Sequence, residues 1–123
     1  MTEYLSAEQI LTADDLAIED VPVPEWGGTV RVKGMSGKER DRFEAGFVGA
    51  DMKQAAKDKA LENYRARIAA ACLVDAKGDR MFRSAAEVAR LSEKSAEALQ
   101  RVVDVANRLS GLTEDDVEEL TGN

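Results

Sequence analysis

The side chains able to do chemistry are few in this 123-residue sequence, and their spacing does not suit a reaction. Histidine is absent and cysteine occurs once, at Cys72, so a thiolate nucleophile would have no imidazole to activate it. Cys72 also falls on an apolar stripe with Leu61, Tyr64 and Ile68 at helical spacing, where it reads as a small core residue. Asp75, Lys77 and Asp79 open like a calcium loop, which takes oxygen ligands at its first, third and fifth positions, glycine at the sixth and glutamate at the twelfth. Here the third is Lys77, the sixth Arg80 and the twelfth Ala86, so a turn joining two helices is expected instead. Gly46 and Gly49 lack the lysine and hydroxyl residue of a phosphate-binding loop. The acid pairs Asp14 with Asp15, Asp115 with Asp116 and Glu118 with Glu119 are chain neighbours, which diverge on a helix and suit its N-terminus or surface. No acid, base, nucleophile or ligand set survives. The sequence therefore points to a non-enzymatic protein, with no cofactor and no metal.

Binding is what remains. With 24 acidic against 17 basic residues the formal charge is -7, which repels a phosphate backbone, so nucleic acid is not an expected partner. Arg31, Lys33, Lys38, Arg40 and Arg42 gather locally, but Glu39 and Asp41 dilute them into a mixed, solvated face; a small nucleic-acid or regulatory adaptor would have to use this patch. No apolar run is long enough to span a bilayer, and Met1-Thr2-Glu3-Tyr4 has no cationic signal segment, so no membrane partner is expected and a cytoplasmic location is. Trp26 has two readings: a plug folded over the core, or an interface anchor beside Gly27 and Gly28. Trp26, Met35, Phe43, Phe47 and Met52 are the candidate partner-binding residues, because methionine and aromatic side chains adapt to varied apolar partners.

The elements that must position these groups are mostly helical. Aromatics are only 5% of the chain while alanine is plentiful, a composition that favours close-packed helices over an aromatic-rich sandwich. Residues 21 to 34, VPVPEWGGTVRVKG, are the exception: two alternating runs around Glu25-Trp26-Gly27-Gly28 predict two strands and a turn. Pro22 and Pro24 remove donors from one edge, so the first strand is expected to pair only through the other. Ser6 with Glu8 and Gln9, Ser36 with Glu39, and Ser84 with Glu87 mark helix starts. Ser92 is read as the next cap, Gly78 and Gly111 as a turn and a helix stop, and Arg80-Met81-Phe82 as a short extended piece. The expected fold class is mainly α: one small helical domain over residues 1–123 with an N-terminal two-stranded β-hairpin at about 19–33. Helices are expected at about 37–48, 52–74, 85–91 and 93–110, with a short acidic C-terminal helix at 114–120.

Two stretches carry a resemblance. ILTADDLAIEDVPVPEWGGTVRVKGMSGKERDRFEA, residues 10–45, resembles the amino-terminal half of tail assembly chaperones of long, non-contractile-tailed (lambda-like) bacteriophages and their prophages. CLVDAKGDRMFRSAAEVARLSEKSAEALQRVVDVANRLSGLTEDDVEE, residues 72–119, resembles their carboxy-terminal half, with Asp75, Gly78, Phe82 and Leu91 in the matching order. The resemblance implies a non-enzymatic protein of the host bacterial cytoplasm that binds and solubilises the tape measure protein during tail morphogenesis and is absent from the mature virion. It also implies a longer product made by a programmed frameshift that recruits tail-tube protein, with this chain suiting the short product, and it leaves self-association open. The rival expectation is a structural head-tail connector or minor tail protein retained in the particle, which needs a closed symmetric interface.

Overall fold

In a computed structural model, residues 3–45 and 63–112 are described. The elements are α1 (Ala7–Thr12), β1 (Ile18–Val23), a 3-10 turn (Pro24–Trp26), β2 (Gly28–Lys33), α2 (Gly37–Ala45), α3 (Tyr64–Cys72), β3 (Leu73–Val74), α4 (Ala85–Leu91) and α5 (Ala96–Leu109). Among the described residues, five helices accompany one antiparallel three-stranded sheet in the order β1-β2-β3.

The hairpin forms as its alternation predicts. Val21 pairs with Val30 and Glu19 with Val32, which places Glu19, Val21, Val23, Val30 and Val32 on one face. That face meets the helices: Val23 and Val32 are fully buried. The other face is wet, and there the directly opposed Asp20 and Arg31 make an ion pair at 3.5 Å. Among the described residues β1 pairs only with β2, so the missing amide of Pro22 falls on an edge strand. Pro24 is not in the strand. It opens the 3-10 turn, where its fixed φ is pre-set, and Gly27 closes that turn at φ 79°, a left-handed conformation that glycine adopts without strain.

Two expectations are corrected. The sheet has a third strand: Leu73 and Val74 leave the helix and pair with Val32 and Arg31, because β2 would otherwise present an unpaired edge. Arg80 extends this by bridging to Val74 across the Asp75-to-Asp79 turn, where Gly78 has φ 88°. The helix expected over 52–74 therefore ends at Cys72, and it starts at Tyr64 with Asn63 as its cap. Residues 52–62, the end of the helix expected over 37–48 and the acidic helix expected at 114–120 lie outside the described residues.

The remaining caps follow local chemistry. Ser6 and Gln9, and Ser84 and Glu87, make reciprocal capping boxes, and Ser36 and Glu39 exchange the same pair of bonds at 3.0 and 3.2 Å. α5 starts one turn later than Ser92 would place it, since Ser95 accepts from the Ala98 amide, and Gly111 beyond its end has φ 74°. α5 lies against the sheet and against α3, burying Leu99, Val102, Val103 and Ala106 with Ile68, Ala69 and Leu73. Each fully buried aliphatic side chain contributes roughly 1.5–3 kcal/mol.

One position governs how closely sheet and helix meet. A Cβ on Gly34 would lie 2.5 Å from the Leu109 carbonyl oxygen, backbone that cannot move aside without shifting α5. Gly34→Ala is expected to destabilise the fold by about 1–3 kcal/mol through overpacking, read as a lower urea midpoint at unchanged slope. An unchanged midpoint would show that α5 is not held at this distance.

Candidate functional site: an apolar groove

The inner face of the sheet is not wholly covered by α5. Near the closed end of the hairpin, Trp26, Val30, Leu73, Met81, Phe82 and Leu91 line a groove of about 360 Å³, with Glu25 and Lys94 also on its wall. That volume is within the usual range for binding pockets, about 300–1,000 Å³. Its walls come from four places in the chain: the turn, β2, the β3 segment with its return at Met81 and Phe82, and α4.

The hairpin tip is clamped. Glu25 receives two bonds from Arg101 of α5, at 2.7 and 2.9 Å, a paired geometry that fixes orientation as well as distance. At the open end of the hairpin, Arg108 reaches Glu19 at 2.6 Å. Arg101 and Arg108 are two helical turns apart, and Glu19 and Glu25 sit at opposite ends of β1, so the two pairs hold the hairpin along α5. The hydrogen bonds from Arg101 hold the Glu25 carboxyl at about pKa 2, below its ordinary 4.5.

Trp26 is half-buried at the groove, with its ring packed on the core. Its Nε1 is buried and makes no hydrogen bond. The ring covers the core, as the first of its two readings expects, and it also lines the apolar opening.

Met35 and Phe43, expected at a partner surface, are core residues instead, 6% and 7% exposed. Met35 follows Gly34 where the chain touches the end of α5, and its amide is fixed by the Ser110 hydroxyl at 2.9 Å. The ring of Phe43 packs 6.0 Å from that of Tyr64 and under the Arg67 guanidinium at 5.9 Å. Phe47 and Met52 lie outside the described residues. The groove residues missed by sequence reasoning are Val30, Leu73, Met81, Phe82 and Leu91. One signal could have found two of them: Met81 and Phe82 are adjacent large apolar residues set between Arg80 and Arg83 just after a turn.

The titratable groups away from the groove have structural duties. Burial pushes the Cys72 thiol up to about 11, against a weak contact with the Ser110 hydroxyl at 4.0 Å. Asp75 Oδ1 accepts from the amides of Asp79 and Lys77, which lowers its pKa and closes the turn. Of the basic cluster, Arg31 pairs with Asp20 and donates to the Ala76 carbonyl, and Arg40 pairs with Glu44.

No protein-family model matches this sequence, and no curated protein is significantly similar to it. Among solved structures, the tail assembly chaperone of bacteriophage HK97 is similar, with a TM-score of 0.58 and 21% sequence identity. The similarity covers 83% of this chain and 94% of that one. The two proteins share a fold over most of both chains.

Two expectations follow for the hairpin tip. The folded-state pKa of Glu25 lies below its free value, so the Arg101 pair contributes stability above about pH 4.5 and loses it as pH falls toward about 2. A carboxyl titration followed by NMR should therefore show Glu25 with a midpoint near 2, returning toward 4.5 in Arg101→Met; equal midpoints in both proteins would contradict the clamp. Trp26→Phe should change stability by less than about 1 kcal/mol, since it deletes an unsatisfied buried N–H along with some packing, whereas Trp26→Ala should cost about 2 kcal/mol or more. Chemical denaturation of the two variants distinguishes these values.

Proposed function

We propose that this protein is a tail assembly chaperone that binds the tape measure protein in the bacterial cytoplasm and keeps it soluble until the tail tube forms around it. The observation that carries the reading is the fold shared with the HK97 tail assembly chaperone over most of both chains. The groove supports it, because a client that displays rows of apolar side chains needs a concave apolar surface to cover them. The net charge of -7 supports it as well, since like charge keeps a coated complex from aggregating. On this reading Trp26, Val30, Met81, Phe82 and Leu91 take client side chains, and Glu25, held by Arg101, fixes the turn that carries Trp26. Recruitment of tail-tube protein through a frameshifted longer product belongs to the same proposal.

Co-expression with a tape measure protein tests it. The tape measure protein should be soluble only with this chain present, and Met81→Asp should reduce the soluble yield while leaving the chaperone folded. Undiminished solubility without the chain would overturn the proposal. Mass spectrometry of purified particles should not detect the chain; its stoichiometric presence would favour a connector or minor tail protein.

A further inference from the structure

The groove has few polar groups, and its acid is already committed. Among the described residues Glu25 is the one carboxylate on its wall, and both of its oxygens accept from Arg101, at 2.7 and 2.9 Å. Two donors remain. The Lys94 ammonium has no carboxylate within ion-pair distance among the described residues, and the Trp26 Nε1–H is buried with no acceptor.

A buried donor without an acceptor is destabilising and rare in folded proteins, so its presence beside an open groove asks for a physical reason. The backbone of the turn is fixed, because Glu25 is clamped by Arg101 and the Gly27 amide donates to the Pro24 carbonyl at 3.0 Å. The indole is not fixed in that way. Its half-buried ring rests on the apolar core and no hydrogen bond ties it there. Turning the ring about its side-chain bonds therefore breaks no hydrogen bond, and it gains one where an acceptor enters the groove.

These groups define the chemistry of an occupant. Val30, Leu73, Met81 and Phe82 suit an apolar side chain, and the two uncommitted donors suit an oxygen beside it. In an amphipathic helix the backbone carbonyls are already bonded within the helix, so that oxygen has to come from a side chain. A carboxylate can serve both donors at once, since it accepts at about four lone-pair sites and its bond from an ammonium is charge-assisted. A client ammonium or guanidinium would bring only further donors and would face the charge of Lys94.

We propose that Trp26 and Lys94 make the groove selective for an apolar client segment flanked by an aspartate or glutamate, the Trp26 indole turning to donate its N–H to that carboxylate. The inference rests on the groove being the client site, as in the proposed function, and adds the chemical group that the client carries there.

Trp26 is the only tryptophan in the chain, so its indole N–H gives one unambiguous signal in a proton–nitrogen correlation spectrum of the nitrogen-labelled chain. Octanoate at neutral pH is the probe, an apolar tail with one carboxylate, and octylammonium, the same tail with a donor-only head, is the comparison. Octanoate is expected to move the indole proton downfield and to bind more tightly than octylammonium. Trp26→Phe, which keeps an aromatic ring and lacks the donor, should weaken octanoate binding by roughly tenfold or more, and Lys94→Met should remove much of the preference between the two amphiphiles. Circular dichroism of both variants should match that of the parent, because neither side chain is fully buried. Octanoate that fails to bind, or binds and leaves the indole signal in place, overturns the proposal. Equal binding of the two amphiphiles does so too, as does undiminished octanoate binding by Trp26→Phe. Solubility of the tape measure protein is read separately. If it depends on this chain while octanoate leaves the indole unmoved, the selectivity fails and the proposed function stands; the reverse result sinks the proposed function alone.

Discussion

The seating of α5 on the inner face of the hairpin is the contact on which the rest of this structure depends. It requires a glycine at position 34, since the Leu109 carbonyl stands where a Cβ would be. Around that approach the chain gathers its polar fixings: the Gly34 amide on Ala17, the Met35 amide on Ser110, and the Glu19 carboxylate on Arg108. At the far end of the hairpin the Glu25 and Arg101 pair completes the attachment. Between the two ends lie Val23, Val32, Val102 and Val103, all buried. The ion pairs set orientation and the aliphatic burial supplies most of the free energy, as expected where charged groups remain partly in water.

The groove is a consequence of this arrangement. α5 covers part of the sheet, and the turn that returns from β3 through Met81 and Phe82, with Leu91 of α4, walls off the remainder without filling it. A chain that needed only stability would close such a gap with a larger side chain. An open apolar groove beside a rigidly held tryptophan fits a protein whose work is to cover apolar segments of another chain. The same physical logic applies to α1, an apolar helix that gains nothing from its own fold.

Much of the fold was legible because local chemistry and tertiary structure agree. The capping boxes at Ser6, Ser36 and Ser84, the positive φ of Gly78 and Gly111 and the Val21/Val30 alternation each depend on neighbours a few residues away. The third strand was not legible. Leu73 and Val74 are equally acceptable in a buried helix or a strand, and only the free edge of β2, some forty residues earlier in the sequence, decides between them. The groove was legible in part. Trp26 was identified by type, but Met35 and Phe43 have the same types and are buried, because residue type gives adaptability and not exposure. Ile10 and Leu11 are the opposite case: their types suit a buried helix face, yet both are exposed.

On the proposed function, the apolar groove and not the outer face of the sheet takes the client. Hydrogen–deuterium exchange of the complex with the tape measure protein tests it most directly. New protection is expected in the turn around Trp26, along β2 near Val30 and through residues 80–94, with the α5 core unchanged. Protection confined to the outer-face residues Asp20, Thr29 and Arg31 and their neighbours, with the groove segments unaltered, would contradict it.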